Sequence, residues 1–209
     1  MFLKKTLSLI EILALSFTAN AQTPDVKIGV KGGLNISNLT NTTHGSSLTG
    51  FHIGGVAEIF VNQKFSILLE ILFSYQGSAY DGPYMLDNKL VNIDSKTELG
   101  YINIPVMAKY YIVKGLNLQV GPQFGFLTNA KYKINSATLL GHPLPIEDSN
   151  VSIKDAYNTF DFGINFGAGY ELPVGVFFDA RYNVGLTNVN KYGNSSNNGV
   201  FQLSVGYKF

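Results

Sequence analysis

The chain has no cysteine, no tryptophan and three histidines, and only 14% of its 209 residues are charged. Without cysteine there is no disulfide, no thiolate zinc site and no acylated lipobox cysteine. Soluble domains usually carry about 25% charged residues, so the shortage points to a solvent other than water for part of the surface. After residue 21 no stretch approaches 18 continuous apolar residues, which excludes spanning helices. What remains is 45% hydrophobic, 13% aromatic and rich in glycine, with 22 residues of that type. That balance leaves strands as the elements able to meet lipid.

The N-terminus sets the compartment. Lys4 and Lys5, an apolar run from Leu7 to Phe17 interrupted by Glu11, and Ala19-Asn20-Ala21 before Gln22 read as a signal peptide. The run is shorter than the roughly 20 residues a spanning helix needs. The expected organisation is therefore a cleaved signal peptide, 1–21, and one domain, 22–209. Taking two lysines and one glutamate of that segment from 15 basic and 14 acidic residues leaves 13 of each sign. A neutral chain with no basic stripe excludes nucleic acid as a partner.

Eight segments alternate with period two: 26–35, 51–61, 65–76, 101–112, 116–127, 160–172, 174–187 and 200–209. Most reach the roughly 9 to 11 residues a tilted strand needs to cross a bilayer, against about five or six in soluble sheets. Their connections alternate in length. Residues 62–64, 113–115 and the turn at Pro173 are tight, whereas 36–50, 77–100, 128–159 and 188–199 are long and rich in Asn, Ser, Thr and Gly. Short turns belong to the periplasmic side of such proteins and long loops to the outside. The predicted fold is an all-β, antiparallel, up-and-down transmembrane β-barrel of about eight strands in the outer membrane, with short periplasmic turns, four long outer loops and both termini periplasmic.

Splitting the strands by parity separates two chemistries. Phe201, Leu203, Val205, Tyr207 and Phe209 oppose Gln202, Ser204, Gly206 and Lys208; Phe65, Ile67, Leu69, Ile71, Phe73 and Tyr75 oppose Ser66, Glu70, Ser74 and Gln76. The apolar face carries no charge, which fits lipid. The polar face collects five acids, Glu58, Glu70, Asp161, Glu171 and Asp179, and five bases, Lys27, Lys31, Lys109, Arg181 and Lys208. An eight-stranded barrel is just wide enough for side chains to fill, and buried charges are costly unless paired. The ten are expected to form a structural ionic network that plugs the lumen. Aromatics near both strand ends suggest girdles facing the bilayer interfaces. Pro105 and Pro122 fall inside strands and predict a bulge or kink at each.

Little else carries chemistry. Gly163, Gly167 and Gly169 share one strand face with no helix to follow, so they read as small lumen residues rather than a phosphate loop. His44 and His142 lie in long loops and His52 at the start of the second strand. They are too scattered for a metal site, and no metal or other cofactor is expected. A lipid hydrolase would need His52 to meet a serine and an orienting partner, so no catalytic residue is assigned. Recognition falls to the outer loops, because loops on a rigid scaffold carry function.

Several segments together resemble the outer-membrane β-barrel domain of PorT-like proteins from Bacteroidetes. They are Tyr101-Ile102-Asn103-Ile104-Pro105 leading to Lys109-Tyr110-Tyr111, then Gly121-Pro122, Gly167-Ala168-Gly169-Tyr170-Glu171, and the run from Asp179-Ala180-Arg181-Tyr182 to Thr187-Asn188. Phe209 is similar to the C-terminal aromatic used by barrel-insertion machinery. The resemblance implies a Bacteroidetes outer membrane, treats the prolines as family features, and raises an accessory role in type IX-like protein secretion. It supplies no catalytic residues. The functional expectation is a non-enzymatic barrel with a structural or surface-recognition role. Its partners would be outer-membrane lipid, the insertion machinery, and a surface ligand or protein at the outer loops; the other readings are the secretion accessory and a lipid-modifying enzyme.

Overall fold

The computed structural model describes residues 25–40, 45–86, 89–139, 142–146 and 150–209. The segment read as a signal peptide, and His44, lie outside them. Ten strands follow in chain order: β1 (Val26–Leu39), β2 (Gly45–Phe60), β3 (Phe65–Leu86), β4 (Lys89–Tyr111), β5 (Leu116–Leu139), β6 (His142–Pro143), β7 (Asn150–Ser152), β8 (Phe160–Glu171), β9 (Val176–Gly185) and β10 (Asn198–Lys208). All pairings are antiparallel. The order β1-β2-β3-β4-β5-β8-β9-β10 closes on itself through β10 and β1, so eight strands form an up-and-down ring. Closure removes every free edge from the ring, which is how a barrel satisfies its backbone without outside partners.

The tight turns are specified locally. Asn62 Oδ1 accepts the N–H groups of Lys64 and Phe65 at 2.9 Å each, an Asx turn that reverses β2 into β3. Gly115 and Gly175, each at φ 88°, occupy the left-handed region in the other two turns.

At the opposite end the strands are longer than alternation predicts. β3, β4 and β5 run 22, 23 and 24 residues, against 10 to 12 for β8 to β10. Residues 77–86, 89–100 and 128–139, within segments read as loops, in fact continue these strands as a three-stranded projection. Its paired part extends about ten residues past the ring, on the order of 30 Å at roughly 3.3 Å per residue. Short β6 and β7 pair with the outer part of β5.

Neither proline carries a bulge, which corrects the sequence expectation. Pro105 pairs with Gln123 on β5, and the β3–β4 ladder passes from Leu69–Val106 to Leu72–Asn103 without changing register. Pro122 pairs with Ile164 on β8, and the β4–β5 ladder likewise skips it. A strand residue directs its N–H toward one neighbour only, so each proline interrupts one ladder and spares the other. The register shifts lie elsewhere, between Ser47 and His52 on β2, and at Asp94/Ser95 and Gly100/Tyr101 on β4.

Candidate functional site

The burial pattern is inverted relative to a water-soluble protein. Ile28, Val30, Leu34, Ile53, Ile71, Phe166 and Leu203 are exposed, while Lys31, His52, Glu58, Glu70, Lys109, Asp179 and Arg181 are buried. Along the middle of the ring strands the outward positions are apolar or glycine: on β8 these are Phe160, Phe162, Ile164, Phe166, Ala168 and Tyr170. Phe65, Tyr110, Tyr170, Phe178 and Tyr207 circle the tight-turn end. Phe51, Phe73, Phe126, Phe160 and Phe201 circle the other, with Phe51 6.0 Å from Phe73 and Phe126 5.8 Å from Phe160. Phe160 to Tyr170 covers about 25 Å at roughly 3.3 Å per residue and a tilt near 40°. That is the height of an outer-membrane apolar band, about 25 Å.

Inside, the side chains form layers. Nearest the tight turns, Lys109 and Lys208 reach Glu58 at 3.1 and 2.5 Å, Lys208 also reaches Glu171 at 2.5 Å, and Lys27 lies 3.4 Å from Glu171. The Tyr111 hydroxyl lies 2.7 Å from Glu58 and 3.0 Å from Glu171. Above them sits an apolar layer of Val56, Leu68, Met107 and Phe177. Next comes a fully buried quartet. Arg181 donates from Nη1 and Nη2 to both Glu70 oxygens at 2.8 and 2.9 Å and reaches Asp179 at 3.2 Å, while Lys31 lies 3.1 Å from Glu70 and 3.5 Å from Asp179. Gly167 and Gly169 leave room for it, since a Cβ at Gly169 would collide with the Asp179 carboxylate and one at Gly167 with the Arg181 stem.

Nine of the ten charged residues singled out in the sequence thus meet in two clusters. Asp161 joins neither; it accepts from Thr187 Oγ1 at 2.7 Å and Asn198 Nδ2 at 2.8 Å. The apolar layer between the clusters was not anticipated, because Leu68 and Leu72 sit inside continuous apolar runs that parity alone leaves unassigned. A second apolar cluster, Leu39, Leu99, Tyr101, Leu127, Ala130 and Val189, with Ile153 and Tyr157 packed on it, fills the far end.

His52 does meet a serine. Asn35 Nδ2 donates to the Phe51 and Tyr75 carbonyls at 2.9 Å each, which leaves its Oδ1 to accept from His52 Nδ1 at 2.8 Å. Nε2 then accepts the Ser204 hydroxyl at 2.9 Å. The geometry is that of nucleophile, base and orienter, yet all three side chains are buried among lumen residues. His142 is exposed on β6. Among the described residues no group of three or more His, Cys, Asp and Glu side chains could hold a metal ion.

Two cavities open at the ends. One of about 710 Å³ at the tight turns is lined by Lys27, Lys64, Lys114, Tyr111 and Tyr170 among others. The other, about 480 Å³, lies on the projection beside Tyr80, Tyr84, Ser95, Lys96 and Tyr132.

A closed ring with a charge-free apolar band and an ion-paired interior defines an integral outer-membrane β-barrel protein. Residues 20–191 match the family model described as outer membrane protein beta-barrel domain, and the chain belongs to that family. Among solved structures it is similar to Neisserial surface protein A (NspA), with 15% identity, 90% of this chain and 100% of that one covered, and a TM-score of 0.54. It is also similar to Ail, the attachment invasion locus protein of Yersinia pestis, solved in complex with the heparin analogue sucrose octasulfate, with 14% identity, 88% and 99% covered, and a TM-score of 0.46. At these identities the likeness to NspA speaks for the fold alone. No curated protein matches the chain.

Proposed function

We propose that this barrel is a non-enzymatic, non-conducting scaffold that displays its three-stranded projection outside the cell for surface recognition. In this reading residues 1–21 are a signal peptide, residues 22–209 form the barrel, both termini face the periplasm, and the lumen network is a structural plug. The observation that carries it is the pairing of an occupied interior with an outgrowth at one end only. Two ion-paired layers separated by Val56, Leu68, Met107 and Phe177 support a filled, non-conducting interior. Meanwhile β3 to β5 spend about ten further residues each where the bilayer does not require them.

The absence of native cysteine makes the orientation directly testable. A Tyr192→Cys protein, whose side chain is 77% exposed in the connection between β9 and β10, should react with a membrane-impermeant maleimide on intact cells. Lys64→Cys in a tight turn should react only after permeabilisation. The reverse pattern would overturn the reading.

Two other roles are weighed against it. The Ser204–His52–Asn35 geometry supports a hydrolase in form, but all three lie inside the lumen rather than on the lipid face. Unaltered lipid chemistry in His52→Ala cells would end that possibility. The PorT-like segments support a Bacteroidetes origin and an accessory role in type IX-like secretion, and deletion that leaves cargo secretion unchanged would count against it. The outer-membrane lipid and the barrel-insertion machinery are the remaining expected partners. Phe209, 69% exposed beside Tyr207 at 5.6 Å, suits the machinery as an accessible C-terminal aromatic.

A further inference from the structure

We propose that the cavity on the projection binds a neutral saccharide unit. Even-numbered β3 residues and odd-numbered outer β4 residues continue the lumen-facing parity of the ring, so the cavity occupies the concave inner side of the outgrowth. Its volume, about 480 Å³, falls within the roughly 300–1,000 Å³ typical of small-molecule sites. Three tyrosines, Tyr80, Tyr84 and Tyr132, supply aromatic walls. Tyr80 is pre-set, because its hydroxyl donates to the Pro83 carbonyl at 2.7 Å.

Two features select the chemistry. Ser95 lines the cavity, is 1% exposed, and its Oγ has no hydrogen-bond partner among the described residues. A buried polar atom left unpaired is costly, and its position beside a cavity is explained if a ligand hydroxyl completes it. Thr97 adds a second hydroxyl to the same wall. The second feature is charge. Among the described residues Lys96 is the one charged lining residue, and it is already paired with Glu98 at 2.6 Å. Burial works against the Glu98 carboxylate, yet hydrogen bonds from Lys96 and Tyr75 hold it below the usual range.

Lys131 and Lys133 flank Tyr132 on β5 but do not line the cavity, so within its described lining an acidic polymer would find no unpaired cation. A lipid tail would leave Ser95 unanswered. A sugar ring presents an apolar C–H face to tyrosine and hydroxyls to serine and threonine, and it meets both demands.

This inference rests on the reading that the projection faces outside. The test uses the full-length barrel refolded in detergent and applied to an array of neutral glycans, ending in glucose, galactose, N-acetylglucosamine or N-acetylgalactosamine, beside sialylated and sulfated ones. Neutral glycans should be retained. Tyr84→Ala and Tyr132→Ala should each weaken retention about three- to tenfold, and Ser95→Val by a few-fold. Tyr192→Ala, away from the cavity, should change nothing. Heat-modifiable gel migration would verify that each variant is folded.

Retention of no glycan, retention of acidic glycans alone, or equal retention by the tyrosine variants would overturn the proposal. The maleimide experiment separates the two failures. Outward labelling at position 192 with no neutral glycan bound sinks the saccharide site and leaves the recognition scaffold standing, whereas inward labelling sinks the scaffold reading whatever the array shows.

Discussion

Arg181→Met is the sharpest probe of the lumen. Methionine keeps most of the stem volume and removes the guanidinium, so the change is one of charge more than of packing. In the native quartet Arg181 and Lys31 balance Glu70 and Asp179, and Arg181 makes the shorter bonds to the two Glu70 oxygens, at 2.8 and 2.9 Å, against 3.1 and 3.4 Å from Lys31. Its loss leaves two carboxylates against a single ammonium in a site closed by Leu68 and Phe177 on one side. Removing one member of a buried pair costs about 3–5 kcal/mol, or roughly two to three and a half decades in the folding equilibrium. Adding Glu70→Gln should restore neutrality, since Lys31 and Asp179 remain 3.5 Å apart. The double variant should therefore be more stable than Arg181→Met alone, with a coupling energy of about 1–3 kcal/mol. The assay is urea unfolding of the barrel refolded in lipid vesicles, followed by migration of unboiled samples on gels and by tyrosine emission, because the chain has no tryptophan. A loss under about 1 kcal/mol, or strictly additive single and double variants, would refute the plug as an electrostatic unit.

Further expectations follow from the same geometry. Ile71→Lys places a cation in the middle of the outward band, where the isoleucine is 63% exposed. It should cost about 2–4 kcal/mol in vesicle unfolding, and free tolerance would mean that the band does not face lipid. Reconstituted in planar bilayers, the protein should show no conductance steps; a sustained open channel would break the filled-lumen argument. Gly77→Val attacks the projection alone. Gly77 sits at φ 145°, and a Cβ there would collide with the Thr97 carbonyl oxygen. Protease should then clip the projection while the barrel keeps its heat-modifiable migration, and an intact projection would show the Gly77 backbone conformation to be dispensable. Glu98 is held below the ordinary carboxylate range, so its pair with Lys96 persists through that range and is lost only as pH falls below it. Glycan retention should accordingly be flat between about pH 6 and 8, and a fall within that window would assign the cavity a different charge balance.

What could be read in the sequence and what could not have one physical cause. Parity works where a strand has two solvents and an unbroken register: β10 alternates Phe201, Leu203, Val205 and Tyr207 against Gln202, Ser204 and Lys208, and its pairing with β1 is continuous from Gly29–Lys208 to Leu39–Asn198. The same reading assembles the charged lumen residues without naming their partners, because which lysine meets which carboxylate depends on stagger between strands far apart in sequence. Lys31 reaches Asp179 across 148 residues and Lys208 reaches Glu58 across 150. Parity fails where a bulge inserts a residue. At Asp94/Ser95 and Gly100/Tyr101 the extra residue sits on β5, whose inward positions pass from odd numbers up to Leu127 to even ones at Ala130 and Tyr132, whereas β4 keeps its parity; on β3, Asp81-Gly82-Pro83 adds turn formers. Segment 77–100 therefore reads as loop for its turn formers, and the start of 128–159 for its bulges. Those bulges are also what set the outer strands off from the cylinder, since a bulge bends its strand and raises local twist. The stretch that is unreadable by alternation is thus the stretch that shapes the cavity holding Ser95. A search for recognition sites in such barrels should begin where period two breaks and hydrophobic content persists, rather than in the Asn- and Ser-rich connections that announce themselves as loops.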